Sequence, residues 1–197
     1  MSYILAFLGS PHRGGNTETL LDEVLRGAKA YLPAGREKGA EVEKIILNEL
    51  NIRPCQNCGG CDKTGRCVVQ DDMQTIYPKL RRANSVIIAS PVFFSSVSAQ
   101  TKAMIDRNQC VWVEKYRLKK PVSEVKNNRR GALISLCAHR GKGHFKCSIK
   151  VTETFFLCQD IDFFDQILVD KVIRRGHTLK DPKILKRAYE LGVALAS

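Results

Sequence analysis

Short apolar runs that end at glycine, proline or polar turns recur along this chain, and they constrain its fold more than any other feature. The first run, residues 3–8 (YILAFL), is continuously apolar, as in a strand buried on both faces of a parallel sheet. Further strands are predicted at residues 41–47, 85–89, 131–137 and 161–169. Helical segments separate them, so the chain predicts an α/β fold with a three-layer, doubly wound parallel sheet of five strands in the order 2-1-3-4-5.

Apolar periodicity and capping residues place the helices. They are predicted at about residues 17–31, 73–82 and 98–113, then in a segment with Phe145, Ile149, Thr152 and Phe156 on one face. The last helix is predicted to begin with Asp181 as its cap and Pro182 in its first turn. Asn16 or Thr17 is the expected cap of the first helix. Because Pro78 lies inside the second, we expect regular helix to begin near Ile76 or to kink there. Residues 33–39 are predicted to be a loop.

Two loops follow strands 1 and 3, which are neighbours in the predicted sheet. The first, residues 9–17 (GSPHRGGNT), joins a strand to a helix N-terminus, where unpaired backbone N–H groups and the helix dipole favour an anion such as phosphate. It lacks the G-K-[ST] of a P-loop and the G-x-G-x-x-G of a dinucleotide fold. The second, residues 92–99 (VFFSSVSA), is apolar and aromatic. Ligands bind at this edge of doubly wound sheets, so we expect a phosphate cradle facing a surface for a flat ring.

Length and composition fit one domain spanning residues 1–197, with a cysteine-rich loop at residues 54–67. No apolar run approaches the roughly 20 residues of a membrane span, and the start of the chain lacks the basic segment and long apolar region of a signal peptide. We therefore expect a cytoplasmic protein that makes no membrane contact.

The net charge of +12 predicts attraction to an anionic partner. Much of the positive charge lies late in the chain, for example at Lys115, Arg129, Arg140 and Arg174. Nucleic acid is one candidate, but the sequence contains no helix-turn-helix, zinc finger or aromatic-studded RNA-binding strand. Cofactor phosphates or an acidic redox protein account for the charge equally well.

Half of the eight cysteines form the pattern C-x2-C-x2-C-x5-C, namely Cys55, Cys58, Cys61 and Cys67. Thiolates at this density favour zinc, copper(I) or an iron–sulfur centre. The spacing favours a cluster, because structural zinc sites more often use two separated C-x2-C pairs. Free thiols in a surface loop and a zinc site stay open as alternatives. The remaining cysteines, Cys110, Cys137, Cys147 and Cys158, are predicted to be small buried apolar residues.

Three segments together resemble the NADPH-dependent FMN reductase family of flavodoxin-like proteins, and within it the iron–sulfur flavoproteins. They are GSP…GNT at residues 9–17, the four-cysteine pattern with DDM at residues 55–73, and SPVFFSSVSAQTKAMIDR at residues 90–107. The match covers nearly the whole chain. It implies a flavodoxin-like fold, an FMN cofactor and an oxidoreductase activity. Phe93 departs from the family, since tyrosine is usual at this position.

The resemblance also implies which residues form the site. Ser10, Arg13, Asn16 and Thr17 match the phosphate loop; Pro91, Val92, Phe93, Phe94, Ser95 and Ser96 match the segment beside the flavin; and Ala138, His139, Arg140 and Gly141 would flank the ring from a third loop. In the iron–sulfur members, the cysteines matching Cys55, Cys58, Cys61 and Cys67 hold a [4Fe-4S] cluster, and the subunits associate as homodimers or homotetramers. Flavin carries the chemistry, so no catalytic side chain is predicted.

Three functional hypotheses follow from these patterns. In the first, FMN exchanges electrons with a small-molecule donor such as NAD(P)H or with a ferredoxin-like protein, and the cluster passes them on. The second is a cluster-free NAD(P)H-dependent reductase of flavin, quinone or nitro compounds. The third is a basic nucleic-acid-binding module without a flavin, which predicts a colourless protein that binds DNA with a steep salt dependence.

Overall fold

The computed structural model describes residues 2–32, 39–126 and 128–197, so most of the loop predicted at residues 33–39 lies outside the described residues. A parallel five-stranded sheet forms the centre of the fold, in the order β2-β1-β3-β4-β5. The strands are β1 (Tyr3–Leu8), β2 (Glu41–Ile46), β3 (Ser85–Pro91), β4 (Arg130–Leu136) and β5 (Asp162–Val169). This topology confirms the doubly wound α/β fold and its predicted strand order.

Helices cover both faces of the sheet. They are α1 (Asn16–Ala30), α2 (Met73–Arg82), α3 (Ala99–Asp106), α4 (Gln109–Trp112), α5 (Lys146–Cys158) and α6 (Pro182–Ala196). Side chains of α1 and α6 form one apolar core with Ile4, Ala6 and Leu8 of β1. Leu5 and Phe7 point to the opposite core, which α2, α3 and α5 cover. The fully apolar first run is therefore explained by burial of β1 on both faces.

The helix predicted across residues 98–113 is interrupted after Asp106, which corrects the sequence-based expectation. Asn108 causes the break, because its side-chain amide donates to Met104 O at 2.8 Å and replaces the backbone bond of a continuing helix. Gln159 holds the amide in place by donating to Asn108 Oδ1 at 2.8 Å. A short turn then leads into α4 and a π-helical turn at Val113–Arg117.

The first two helices also begin differently from the prediction. The N-cap of α1 is Gly15 rather than Asn16 or Thr17, and no side chain caps that end. Helix α2 begins at Met73 and not near Ile76, although Pro78 lies inside it. Asp71 Oδ1 accepts a hydrogen bond from Met73 N at 3.1 Å, and Met73 is itself buried, so the first turn is held despite the proline.

Helices α1 and α6 approach each other at two glycines. A Cβ atom on Gly192 would lie 1.8 Å from Val24 O, and one on Gly27 would lie 2.0 Å from Tyr189 O. The two helix backbones are therefore in direct contact. Asp181 caps α6 as predicted, accepting from Lys183 N at 3.0 Å.

Two arginines counted toward the positive charge lie in the interior. Arg129 and Arg107 are 3% and 1% exposed, respectively. Arg129 donates to three backbone carbonyls, those of Leu80, Ala83 and Gln159. The carboxylates of Glu18 and Asp71 are buried as well, so burial of these four groups leaves the net charge of the surface unchanged. Within the described residues, no helix is long and apolar enough to cross a membrane.

Candidate functional site

A cleft of about 690 Å³ lies at the carboxyl ends of β1, β3, β4 and β5. It is lined by residues 10–13, 15–17, 91–93, 136–138 and 172–175. The cleft occupies the edge where open parallel sheets bind their ligands, between the neighbouring strands β1 and β3. The two loops singled out from the sequence therefore do face each other.

The cleft brings together eight of the predicted flavin-site residues: Ser10, Arg13, Asn16, Thr17, Pro91, Val92, Phe93 and Ala138. The other six, Phe94, Ser95, Ser96, His139, Arg140 and Gly141, do not line it. They lie in turns at its margin. Gly141, with φ of 109°, donates its N–H to Asp170 Oδ2 at 2.8 Å, which fixes the third loop beside β5.

The loop between β1 and α1 forms the polar end of the cleft. Ser10 is nearly buried at the end of β1, and its hydroxyl accepts a bond from His12 N at 3.3 Å. Helix α1 begins just beyond Gly15, so its first backbone N–H groups lie at the cleft without intrahelical partners. A helix N-terminus in this position favours a phosphate.

Arginines on two sides surround this polar end. Arg13 pairs with Glu18 and Glu49, so part of its charge is compensated within the protein. Arg175 donates to Arg13 O at 3.0 Å and to Gly14 O at 3.3 Å, joining the segment after β5 to the first loop. Arg174 lines the cleft beside it. Ligands of open parallel sheets bind beyond the carboxyl ends of the strands, so the position of this segment after β5 was a signal that could have identified it from the sequence.

The side chain of Asn16 connects the loop between β1 and α1 to the segment after β5. Its Nδ2 donates to Arg174 O at 2.8 Å, and its Oδ1 accepts from Thr178 N and Oγ1, each at 3.2 Å. Asn16 therefore positions the cleft wall after β5 as well as lining the cleft.

Glu18 stabilises the loop between β1 and α1, a role that was not predicted from the sequence. Its carboxylate is buried in the first turn of α1 and accepts bonds from Gly14 N at 2.6 Å, Lys44 Nζ at 2.9 Å and Arg13 Nε at 3.3 Å. Burial alone would raise the pKa of Glu18, but these donors hold it below the ordinary value. An acidic residue in a first helical turn is favoured by the dipole, and this was the available sequence signal.

We expect the folded protein to lose stability in acid partly through Glu18. Since the folded-state pKa is below the unfolded value of 4.5, its contribution is present above that pH and is lost as the pH falls through the folded-state pKa. Glu18→Gln should lower the free energy of unfolding at pH 7 by about 1–3 kcal/mol. It should also flatten the pH dependence of urea unfolding below pH about 4.5. The surface variant Glu190→Gln serves as the control, and equal slopes in the two variants would contradict this role.

The loop after β3 forms the apolar side of the cleft. Phe93 and Ser96 exchange two backbone bonds, at 2.9 and 3.1 Å, around a turn in which Phe94 and Ser95 have φ of 47° and 63°. Non-glycine residues rarely adopt this conformation, and Phe94 is left fully exposed. Ser98 holds the base of the loop by donating to Gly9 O at 2.6 Å, so the loops after β1 and β3 are joined directly.

The residues of the cleft fit FMN. One end combines a helix N-terminus with Arg174 and Arg175, which suits a phosphate. The lining also includes apolar Val92, Phe93 and Ile173, which suit a flat ring. This fit to FMN is a fit of chemical character between the cofactor and the lining residues.

The predicted cysteine loop forms a second, smaller cavity. Cys55, Cys58, Cys61 and Cys67 all line one cavity of about 150 Å³, and all four are free thiols. Arg107 and a fifth cysteine, Cys110, lie in the same lining. Within the described ranges, no group of three or more His, Cys, Asp or Glu side chains is placed to hold a metal ion. Thiolates are the ligands that iron–sulfur centres, zinc and copper(I) prefer.

The remaining cysteines only partly follow the prediction of burial. Cys110 and Cys137 are buried, whereas Cys158 is half-buried and Cys147 is exposed. Cys147 lies in the first turn of α5, where its side chain points away from the core.

Known proteins share both the sequence and the fold. A profile of the NADPH-dependent FMN reductase family matches residues 2–150. An iron–sulfur flavoprotein of Methanosarcina thermophila is 33% identical over 143 residues, which cover 73% of this chain and 67% of the relative. One of Methanocaldococcus jannaschii is 32% identical over 154 residues, covering 78% and 71%, respectively.

A solved structure supports the fold assignment. The FMN-dependent NADH-azoreductase of Bacillus anthracis, solved in complex with FMN, superimposes with a TM-score of 0.68 at 16% identity and covers 100% of both chains. The family profile spans well over half of the 197 residues. This chain therefore belongs to the NADPH-dependent FMN reductase family and is an FMN-dependent oxidoreductase.

Proposed function

We propose that this redox flavoprotein binds FMN in the 690 Å³ cleft and transfers electrons between a donor and an acceptor through a [4Fe-4S] cluster held by Cys55, Cys58, Cys61 and Cys67. The observation that carries the proposal is the pairing of two sites in one chain. One is a cleft whose lining combines a helix N-terminus and arginines with apolar residues, and the other is a cavity lined by four free thiols.

Different residues of the cleft would bind different parts of FMN. The backbone at the start of α1, with Ser10 and Thr17, would bind the phosphate, while Arg174 would balance its charge. Val92 and Phe93 would contact the ring. Bound FMN supplies the chemistry of one- and two-electron transfer, and the protein orients it and limits access of water. The turn of residues 138–141, at the margin of the cleft, would lie beside the flavin ring.

Two arguments support a cluster in the cysteine loop. The four thiols line a single cavity, and thiolates are the ligands that hold iron–sulfur clusters. Relatives that are 32–33% identical carry the name iron–sulfur flavoprotein. A reducing compartment such as the cytoplasm would keep these thiols available for metal.

The proposed donor is NAD(P)H or a ferredoxin-like protein. Lys142, Arg174 and Arg175 are exposed cations near the cleft and would attract either a dinucleotide phosphate or an acidic protein surface. We also propose a homodimer or homotetramer, because Phe94 and Ile173 are exposed apolar side chains beside the cleft.

The proposal is tested by an anaerobic absorption spectrum with iron, sulfide and flavin analysis. We expect about four irons per chain for a [4Fe-4S] centre and one FMN. Cys61→Ser should lose most of the iron and keep the FMN, because the cysteine cavity and the cleft share no lining residue. Cys147→Ser, which changes an exposed thiol elsewhere, should keep both. Iron that is absent from the reconstituted wild type, or unchanged in Cys61→Ser, would contradict the cluster.

A cluster-free NAD(P)H-dependent reductase is the second candidate. It is favoured by the small volume of the cysteine cavity, about 150 Å³, compared with the cleft. Rapid mixing with NADPH under anaerobic conditions separates the two. Fast bleaching of the flavin in a protein without iron supports the reductase, whereas a flavin that stays oxidised for minutes excludes it.

A further inference from the structure

Arg107 is a buried cation beside the cysteine loop. It is 1% exposed, and its guanidinium pairs with the equally buried carboxylate of Asp71. Burial alone would raise the pKa of Asp71, but the bonds from Arg107 and from two backbone N–H groups hold it below the ordinary value. Both groups are therefore charged at neutral pH, and the pair is a fixed ionic element within the protein.

The same two side chains join the ends of the cysteine loop. Arg107 Nη1 donates to Arg53 O at 2.9 Å, and Asp71 Oδ2 accepts from Arg53 N at 3.0 Å. On the other side, Arg107 Nη2 donates to Val69 O at 3.4 Å. The chain before Cys55 and the chain after Cys67 are thus bound to one guanidinium.

Arg107 also contacts one of the four cysteines directly. Its Nη2 lies 3.4 Å from Cys67 Sγ, within hydrogen-bonding distance for sulfur. Its Nε is buried without a hydrogen-bond partner among the described residues, so Nη2 is the atom that contacts the cysteine site.

We propose that Arg107, held by Asp71, is a positioning residue of the cysteine site that sets the shape of the loop and donates an N–H group to Cys67 Sγ. The inference rests on the proposed function, since it assigns Arg107 a role toward the cluster. Hydrogen bonds and positive charge at a ligating sulfur stabilise the more reduced, more negative state, so Arg107 raises the reduction potential of the centre. Cys67 thereby differs from the other three thiols in its electrostatic surroundings.

The test uses two variants. Arg107→Lys keeps the positive charge but loses the planar guanidinium and its paired N–H donors. The double variant Asp71→Asn, Arg107→Met removes both charges and so avoids leaving an unpaired buried ion. Arg187→Met is the matched control. Arg187 lies outside the cysteine cavity and pairs with Asp165 at the surface, where such a pair contributes little. Circular dichroism and thermal unfolding verify that each variant is folded.

Two measurements are made on each variant. On the reconstituted holoprotein, we expect loss of the cluster to a chelator to accelerate by about 10- to 100-fold in both Arg107 variants, with a lower midpoint potential. On the cluster-free protein, we expect amide hydrogen exchange of residues 54–67 to accelerate by about tenfold or more, while exchange of β1 stays unchanged. Arg187→Met should match the wild type in every respect.

An unchanged midpoint potential in both Arg107 variants would overturn the proposal, even if the loop exchanges faster, because Arg107 would then be only a structural ion pair. If the wild type takes up no cluster, the proposed function fails separately. Exchange of the loop in the cluster-free protein then decides the role of Arg107: faster exchange supports positioning of the loop, and unchanged exchange overturns it.

Discussion

Replacing Arg129 by methionine should lower the free energy of unfolding by about 3 kcal/mol, which corresponds to a fall in Tm of about 6–12 °C for a chain of this size. The guanidinium donates to the carbonyls of Leu80 and Ala83 at the end of α2 and to that of Gln159 at the end of α5. Terminal carbonyls of a helix have no partner within the helix, so a single cation satisfies two helix ends and complements both dipoles.

Methionine would keep much of the side-chain volume but leave buried acceptors unsatisfied, at a cost of about 1–3 kcal/mol each. Burial lowers the pKa of Arg129 to about 10, so the cation is retained at neutral pH. Urea unfolding measures the effect, with Lys126→Met as the control because Lys126 is an exposed cation nearby. Arg129→Lys should recover only part of the loss, since an ammonium lacks the planar fork. Equal stability of Arg129→Met and Lys126→Met would refute this account.

Replacing Gly192 by valine should destabilise the protein by about 3 kcal/mol or more, because it overpacks a rigid contact. The first added carbon would lie 1.8 Å from Val24 O and 2.8 Å from Ala28 N. These are backbone atoms of α1, which cannot move aside as a flexible side chain could. The helices would have to separate and open the core that Leu21, Val24 and Leu191 share.

Gly143→Val is the control for Gly192→Val. A Cβ atom on Gly143 would meet nothing within 4 Å, so this variant makes the same chemical change without the steric conflict. We expect thermal unfolding of Gly143→Val to match the wild type within about 0.5 kcal/mol, as for most surface substitutions. A similar loss in both variants would show that the glycine at the helix crossing is not required for close packing.

The fold was predictable because it is encoded in local patterns. The three inner strands β1, β3 and β4 are mostly apolar and almost completely buried, so β1 could be recognised without knowledge of its neighbours. The interruption after α3 was not predictable. It depends on Asn108 and Gln159, which are 51 residues apart in the sequence and meet only in the folded structure.

The candidate site was predictable only where it follows a strand end with a distinctive sequence. Residues 9–17 and 91–93 carry recognisable motifs, and both reach the cleft. The wall at residues 172–175 has no motif, and the buried charges of Glu18 and Arg107 resemble surface residues in the sequence. Their roles arise from pairing with Lys44 and Asp71, and such pairing is a property of the three-dimensional structure.

The contact between α1 and α6 joins helices that are far apart in the sequence, and this affects folding during synthesis. The family profile ends at residue 150, yet residues 182–196 supply Ala188, Leu191 and Leu195 to the core around α1. A nascent chain on the ribosome would keep that face of the sheet open until α6 is made. We therefore propose that residues 1–197 fold as one unit, which reaches the native state only after α6 has emerged.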